Sequence, residues 1–175
     1  MTNTTQTGQT GQTSETTVTV HRIYIKAPIQ QVWDAITDPA WNGRYGYGAP
    51  SDYDLRPGGL YAVRSTPEMV GFGAPEVLID GEVLESDPPT RLVQTWRAFF
   101  SPETVAEGFT QLTWDLHEED GGITRLTVTH DVTDSPNVAA VTTGSANLQE
   151  GGGGWAWILS DLKTLLETGQ SALHG

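Results

Sequence analysis

Between Trp155 and Leu166 the apolar residues Trp155, Ile158, Leu159, Leu162, Leu165 and Leu166 recur three and four positions apart, which places them on one stripe of a 3.6-residue helix. Gly151 to Gly154 precede the stripe, and Gly169 follows it at a position where glycine ends a helix without Cβ strain. At about 1.5–3 kcal/mol for each large side chain removed from water, the stripe is worth on the order of 10 kcal/mol. That stabilisation requires an apolar groove elsewhere in the chain, and the rest of the sequence has to supply it.

The segments upstream read as a curled sheet. Residues 1–16, mostly Thr, Gln and Gly, have little to bury and are expected to form a disordered polar tail. From Thr17, alternation of Val18, Val20, Arg22 and Tyr24 with Thr19, His21, Ile23 and Ile25 predicts a strand. Pro28 suits a first helical position, and Ile29, Val32, Trp33 and Ile36 continue at helical spacing until Asp38-Pro39. Residues 40–58 are irregular, with Trp41 and Tyr45 set among glycines in a segment suited either to folding over an opening or to completing a core. Strands follow over 60–65, 76–86, 91–99, 109–118 and 123–132, separated by turn signals such as Pro57-Gly58-Gly59, Asp87-Pro88-Pro89 and Asp120-Gly121-Gly122.

Strands in one run with helices segregated around them indicate an α+β fold in which about six to seven antiparallel strands curl around the long C-terminal helix. One domain over residues 17–170 with a short tail at 171–175 accommodates all of this. The glycine run reads as a hinge.

Composition narrows the functional classes. Nine Lys and Arg against 22 Asp and Glu give a net charge of −13, which repels nucleic acid and anionic lipid headgroups. The absence of cysteine removes thiolate chemistry and cysteine-based metal sites, and the histidines lack metal-ligand spacing. Met1-Thr2-Asn3-Thr4 lacks the basic and apolar regions of an export signal, and no apolar run reaches the ~20 residues of a membrane span. The cytoplasm is the expected location, with no cofactor.

Six segments in register carry a family likeness: Val32-Trp33-Asp34-Ala35-Ile36-Thr37-Asp38-Pro39, Asp54-Leu55-Arg56-Pro57-Gly58-Gly59, Gly81 to Pro89, Arg91-Leu92-Val93-Gln94-Thr95-Trp96, Thr124 to His130, and Gly154 to Leu165. Together they resemble the SRPBCC superfamily with its START-like helix-grip fold, and within it the activator of Hsp90 ATPase homologue 1-like branch. The resemblance implies a cavity between curved sheet and C-terminal helix that in many relatives holds an apolar or amphipathic small molecule. The chain departs from that branch at Arg44-Tyr45-Gly46-Tyr47-Gly48, where many relatives carry a Trp-rich turn, and in the long Gly-rich connection 134–154.

On these readings the ligand-facing residues are Trp33, Trp41, Tyr45, Tyr61, Trp96, Trp114, Val128, His130, Trp155 and Leu159, although the same aromatic set would also fill a plain core. Trp155 and Leu159 are expected to touch the ligand, and Leu162, Leu165 and Leu166 to seal the core. His130 on the concave face suits a general base, a group orienting a ligand hydroxyl, or a hydrogen-bonded core histidine. Asp115 and Asp131 point outward by parity. Trp157 falls on the helix face opposite the stripe, where an exposed indole would anchor a protein partner or a second copy of the chain, and where a loop such as 134–150 could equally fold over it. The expected function is non-catalytic binding of a small hydrophobic molecule. The alternatives are a cyclase or dehydratase acting through His130, and a module that binds an Hsp90-type chaperone.

Overall fold

Alternation of buried and exposed side chains accounts for most of the architecture in the computed structural model, which describes residues 16–144 and 151–172. The tail expected at 1–16 lies outside these residues except for Thr16. Of 171–175 only Ser171 and Ala172 are described.

The strands are β1 (Val18–Ile25), β2 (Ser51–Tyr53), β3 (Leu60–Arg64), β4 (Val77–Asp87), β5 (Arg91–Ala98), β6 (Thr110–Glu119) and β7 (Ile123–Asp131). The helices are α1 (Ile29–Thr37), α2 (Pro39–Asn42), α3 (Pro67–Gly71), α4 (Pro102–Glu107), α5 (Pro136–Thr142) and α6 (Gly154–Thr168). Every strand pairing is antiparallel, in the order β1-β7-β6-β5-β4-β3-β2, so the first strand lies beside the last.

Three details differ from the sequence reading. Pro28 is the extended N-cap residue of α1, at φ −60° and ψ 147°, and the helix begins one position later. The segment 40–58, read as irregular, contains α2 and the short strand β2. The loops at 66–75, 99–108 and 134–144 each hold a short helix opened by a proline in its first turn, a signal too short for periodicity to detect.

The sheet curls because its ladder is interrupted. Registers shift between Val63 and Arg64 on β3 and between Val83 and Glu85 on β4. At Gly81 the neighbouring strand comes so close that a Cβ would lie 2.0 Å from the Thr95 carbonyl oxygen, so only glycine fits. The concave face presents Leu92, Gln94, Trp96 and Ala98 from β5, Leu112, Trp114 and Leu116 from β6, and Leu126, Val128 and His130 from β7, all buried.

Into this groove α6 lays Trp155, Leu159, Leu162, Leu165 and Leu166, buried as the stripe requires. Gly169 ends the helix at φ +83°, its N–H bonded to the Leu165 carbonyl at 2.8 Å. At the other end Gly154 adopts φ +57°, and a Cβ there would meet the Thr142 oxygen at 2.3 Å and the Gly144 nitrogen at 2.5 Å. This glycine is a close-packing contact between α5 and α6, which corrects the hinge reading at that position. Near the C-terminal end of the helix, Lys163 donates to the Tyr24 carbonyl and the Lys26 N–H donates to Glu167, clipping α6 to the end of β1.

Asp161 interrupts the apolar stripe and is 0% exposed. Its carboxylate accepts from the Gly46 N–H at 2.8 Å, the Ser171 hydroxyl at 2.7 Å and the Ala172 N–H at 2.6 Å. These donors satisfy a charge that would otherwise be prohibitive to bury. They also fasten the 43–48 segment and the residues after α6 to the helix. Replacing Asp161 by Ala removes the acceptor that three donors share, so chemical denaturation should show a loss on the order of 3 kcal/mol, with Asp161→Asn retaining part of it.

Candidate functional site

Two regions of the concave side have distinct chemistry. The first surrounds His130. The Trp155 indole N–H donates to His130 Nδ1 at 3.2 Å, and His130 Nε2 lies 2.8 Å from Thr110 Oγ1, which in turn donates to the Trp96 carbonyl at 2.9 Å. Because an indole nitrogen can only donate, Nδ1 is the acceptor and Nε2 carries the proton and donates to Thr110.

Burial lowers the imidazole to about 4, against an upward pull from Asp131 and with a further lowering by His21, so the ring is neutral near pH 7. Trp96 meets the imidazole edge-on at 5.0 Å between centroids, and Trp114 meets Trp155 edge-on at 5.4 Å. These rings are buried and touch one another. Both imidazole nitrogens are engaged within the protein, an arrangement suited to locking α6 against the sheet.

The second region lies toward the β2 edge. Tyr53 and Tyr61 stack with centroids 4.6 Å apart, and the Tyr45 hydroxyl donates to the Ala35 carbonyl at 3.1 Å. Burial raises all three phenols above their ordinary range, so they are neutral at physiological pH. Next to the Tyr53 and Tyr61 hydroxyls is Gln94, close enough to perturb both, yet neither polar atom of its side chain forms a hydrogen bond of acceptable geometry among the described residues.

Outside Tyr45 a cleft of about 930 Å³ opens to solvent. Its walls are Gly43, Arg44, Tyr47 and Gly48 on one side, the α3 region from Thr66 to Phe72 on another, and Leu165 with residues 169–171 at the end of α6. Arg44 stacks over the Trp41 ring at 4.6 Å, and the Tyr47 hydroxyl accepts from the Gly153 N–H at 2.8 Å. The same buried Asp161 therefore holds two of the three walls.

The residues expected to face a ligand are distributed over both regions. Trp33 is buried in α1, and Trp96, Trp114, Val128, His130, Trp155 and Leu159 belong to the packed interior. Tyr61 and Tyr45 belong to the tyrosine region, and Trp41 is half-buried beside the cleft. Along the helix stripe Leu162 and Leu166 seal the core, whereas Leu165 also borders the cleft and Trp155 is bonded to His130. Of the two settings open for Trp157, exposed or covered by another segment, the residue is half-buried, its indole N–H out of contact with solvent and unpaired among the described residues. An amphipathic wheel places it opposite the stripe but takes no account of other segments packing there.

Sequence reasoning missed Asp161, Gln94, Thr110, Tyr53 and the α3 wall. Asp161 was detectable as a charge inside an apolar stripe, and Gln94 as an amide between Leu92 and Trp96 on an inward face. Among the described residues no group of three His, Cys, Asp or Glu side chains is placed to hold a metal ion, and no helix is long and apolar enough to cross a membrane.

A seven-stranded antiparallel sheet gripping a C-terminal helix defines the helix-grip class of α+β proteins. The family described as activator of Hsp90 ATPase homolog 1-like protein matches residues 26–167, and the chain belongs to it. Solved structures share the fold. CalU16 from Micromonospora echinospora is 23% identical over 88% of this chain and 78% of its own, with a TM-score of 0.62. An Hsp90 activator from Plasmodium falciparum is 20% identical over 85% and 95%, with a TM-score of 0.59. DynU16, a protein of the dynemicin biosynthetic locus, is 22% identical over 88% of this chain and 48% of its own, with a TM-score of 0.63. No curated protein matches the chain significantly.

His130 makes stability depend on pH with a definite sign. The folded imidazole titrates near 4 and an unfolded one near 6.5, so the unfolded chain binds the extra proton between them. The stability supplied by the neutral ring is complete above about pH 6.5 and falls by on the order of 3 kcal/mol as pH drops toward 4. Denaturant midpoints measured from pH 7 to 4 should show a decline that is shallower in His130→Gln.

Proposed function

We propose that the protein binds a small, largely apolar molecule at the cleft bounded by segment 43–48, α3 and the end of α6, without catalysing a reaction. The observation that carries this reading is the cleft itself. Its volume of about 930 Å³ lies within the range of small-molecule sites, and its walls combine the Met69, Phe72 and Leu165 side chains with the polar groups of Arg44 and Tyr47. The engagement of both His130 nitrogens favours binding over the cyclase or dehydratase alternative, because a general base needs a free lone pair directed at the substrate. The relatives are consistent with this reading: DynU16 belongs to a biosynthetic locus, and a molecule-holding fold suits that setting.

Native mass spectrometry of protein purified from cells, followed by titration with a panel of apolar ligands, tests the proposal. One-to-one binding is expected, and Met69→Trp, which fills the cleft from a half-buried position, should weaken it at least tenfold while leaving Tm unchanged. A wild-type protein that carries nothing and ignores the panel overturns the reading.

A second reading, that the protein engages an Hsp90-type chaperone, is favoured by the family and by one surface feature. Phe72 is 87% exposed at the rim of the cleft and Leu60 is 75% exposed, so apolar area is available for a partner on the outside of the fold. In a binding measurement with purified chaperone, Phe72→Ser should weaken association about tenfold while changing stability by no more than about 0.5 kcal/mol. Absence of association by the wild-type protein removes this reading.

A further inference from the structure

Gln94 sits on the concave face of β5, opposite Val83 on β4 and Leu112 on β6, with 0% of its surface exposed. Its carboxamide offers two N–H donors and a carbonyl acceptor, and none of them is satisfied among the described residues. On β6, paired with Leu92, the Trp114 indole N–H is also buried and unbonded. A leucine of nearly the same volume at position 94 would spare the fold the desolvation of an unpaired amide. A buried amide with idle donors and acceptor is a group built to meet something other than its neighbours.

The surroundings indicate what that partner is. The Tyr53 and Tyr61 hydroxyls lie beside the carboxamide, and Tyr45 completes the cluster. These groups are polar but uncharged, so an ionic ligand group brought among them would lack a counter-charge. Trp96 and Trp114, which flank Gln94 on the same concave face, supply flat apolar walls. Tyr45, buried with its hydroxyl on the Ala35 carbonyl, lies in the chain between Arg44 and Tyr47, both residues of the cleft wall.

The geometry points to Gln94, together with Tyr53 and Tyr61, as the polar pole of the binding site, which takes the neutral oxygen function, a carbonyl or hydroxyl, of a ligand otherwise built of apolar rings. This rests on the binding reading above and adds its specificity. The oxygen of such a ligand pairs with the carboxamide. The orphaned amide thereby becomes a discriminator, because a ligand lacking the oxygen leaves it unpaired.

Titration of intrinsic tryptophan fluorescence with 1-tetralone and with tetralin, which share a carbon skeleton and differ by one carbonyl, tests the assignment. The wild-type protein should prefer the ketone by on the order of tenfold or more. Gln94→Leu should bind the two probes equally, with the affinity for tetralin retained and a Tm equal to or above that of the wild type. Tyr53→Phe should narrow the preference. Equal affinities in the wild-type protein, or a preference that survives Gln94→Leu, overturns the polar pole and leaves the binding reading standing. A Gln94→Leu protein that melts well below the wild type identifies the amide as a folding element and likewise overturns the inference. Failure of the wild-type protein to bind either probe overturns both.

Discussion

The carboxylate of Asp161, buried under the C-terminal helix, is the interaction on which the architecture of the site depends. Burying a charge is costly, and the cost is offset because three donors converge on it from two separate segments. Gly46 brings in the loop after α2, while Ser171 and Ala172 bring in the chain beyond α6. The exposed ion pairs of the surface, such as Arg56 with Asp54 or Arg64 with Asp52, are screened by water and contribute little. A side chain that does not line the cleft thus sets the spacing of two of its walls.

The helix is fixed at three levels by three kinds of chemistry. Near its first turn Trp155 donates to a neutral imidazole, at mid-length Asp161 gathers backbone and hydroxyl donors, and toward its end Lys163 and Glu167 reach the end of β1. Apolar burial supplies most of the driving force but is indifferent to small slides along the groove, whereas directional hydrogen bonds are not. The polar contacts therefore choose one setting of a helix that the stripe alone would hold loosely. The interior is not uniform: both His130 nitrogens are paired, whereas the Gln94 carboxamide and the Trp114 indole N–H form no hydrogen bond of acceptable geometry among the described residues.

Much of the fold was legible because it rests on periodicity. The alternation in β5, β6 and β7 and most of the stripe of α6 place the same residues inside that the structure buries. The short helices escaped because four to seven residues cannot establish a period, and β2 escaped because three residues cannot either. The site was less legible for a different reason. Inward parity identifies which residues reach the interior, but whether Trp155 and His130 face a cavity or each other depends on the distance between sheet and helix, which no local pattern encodes. Trp157 shows the same limit, since a helical wheel treats everything beyond the helix as water.

The position of the first strand has a consequence for how the molecule comes into being. β1 pairs along its whole length with β7, Val18 opposite Asp131 and Ile25 opposite Thr124, so among the described residues its one sheet neighbour is the strand made last. During synthesis on the ribosome β1 emerges first and waits, its backbone unpaired, until more than half of the chain has followed. The groove for α6 includes that same edge and closes later still. Early release of the N-terminal half would yield strands and no domain, and folding is in effect deferred until the chain is nearly complete.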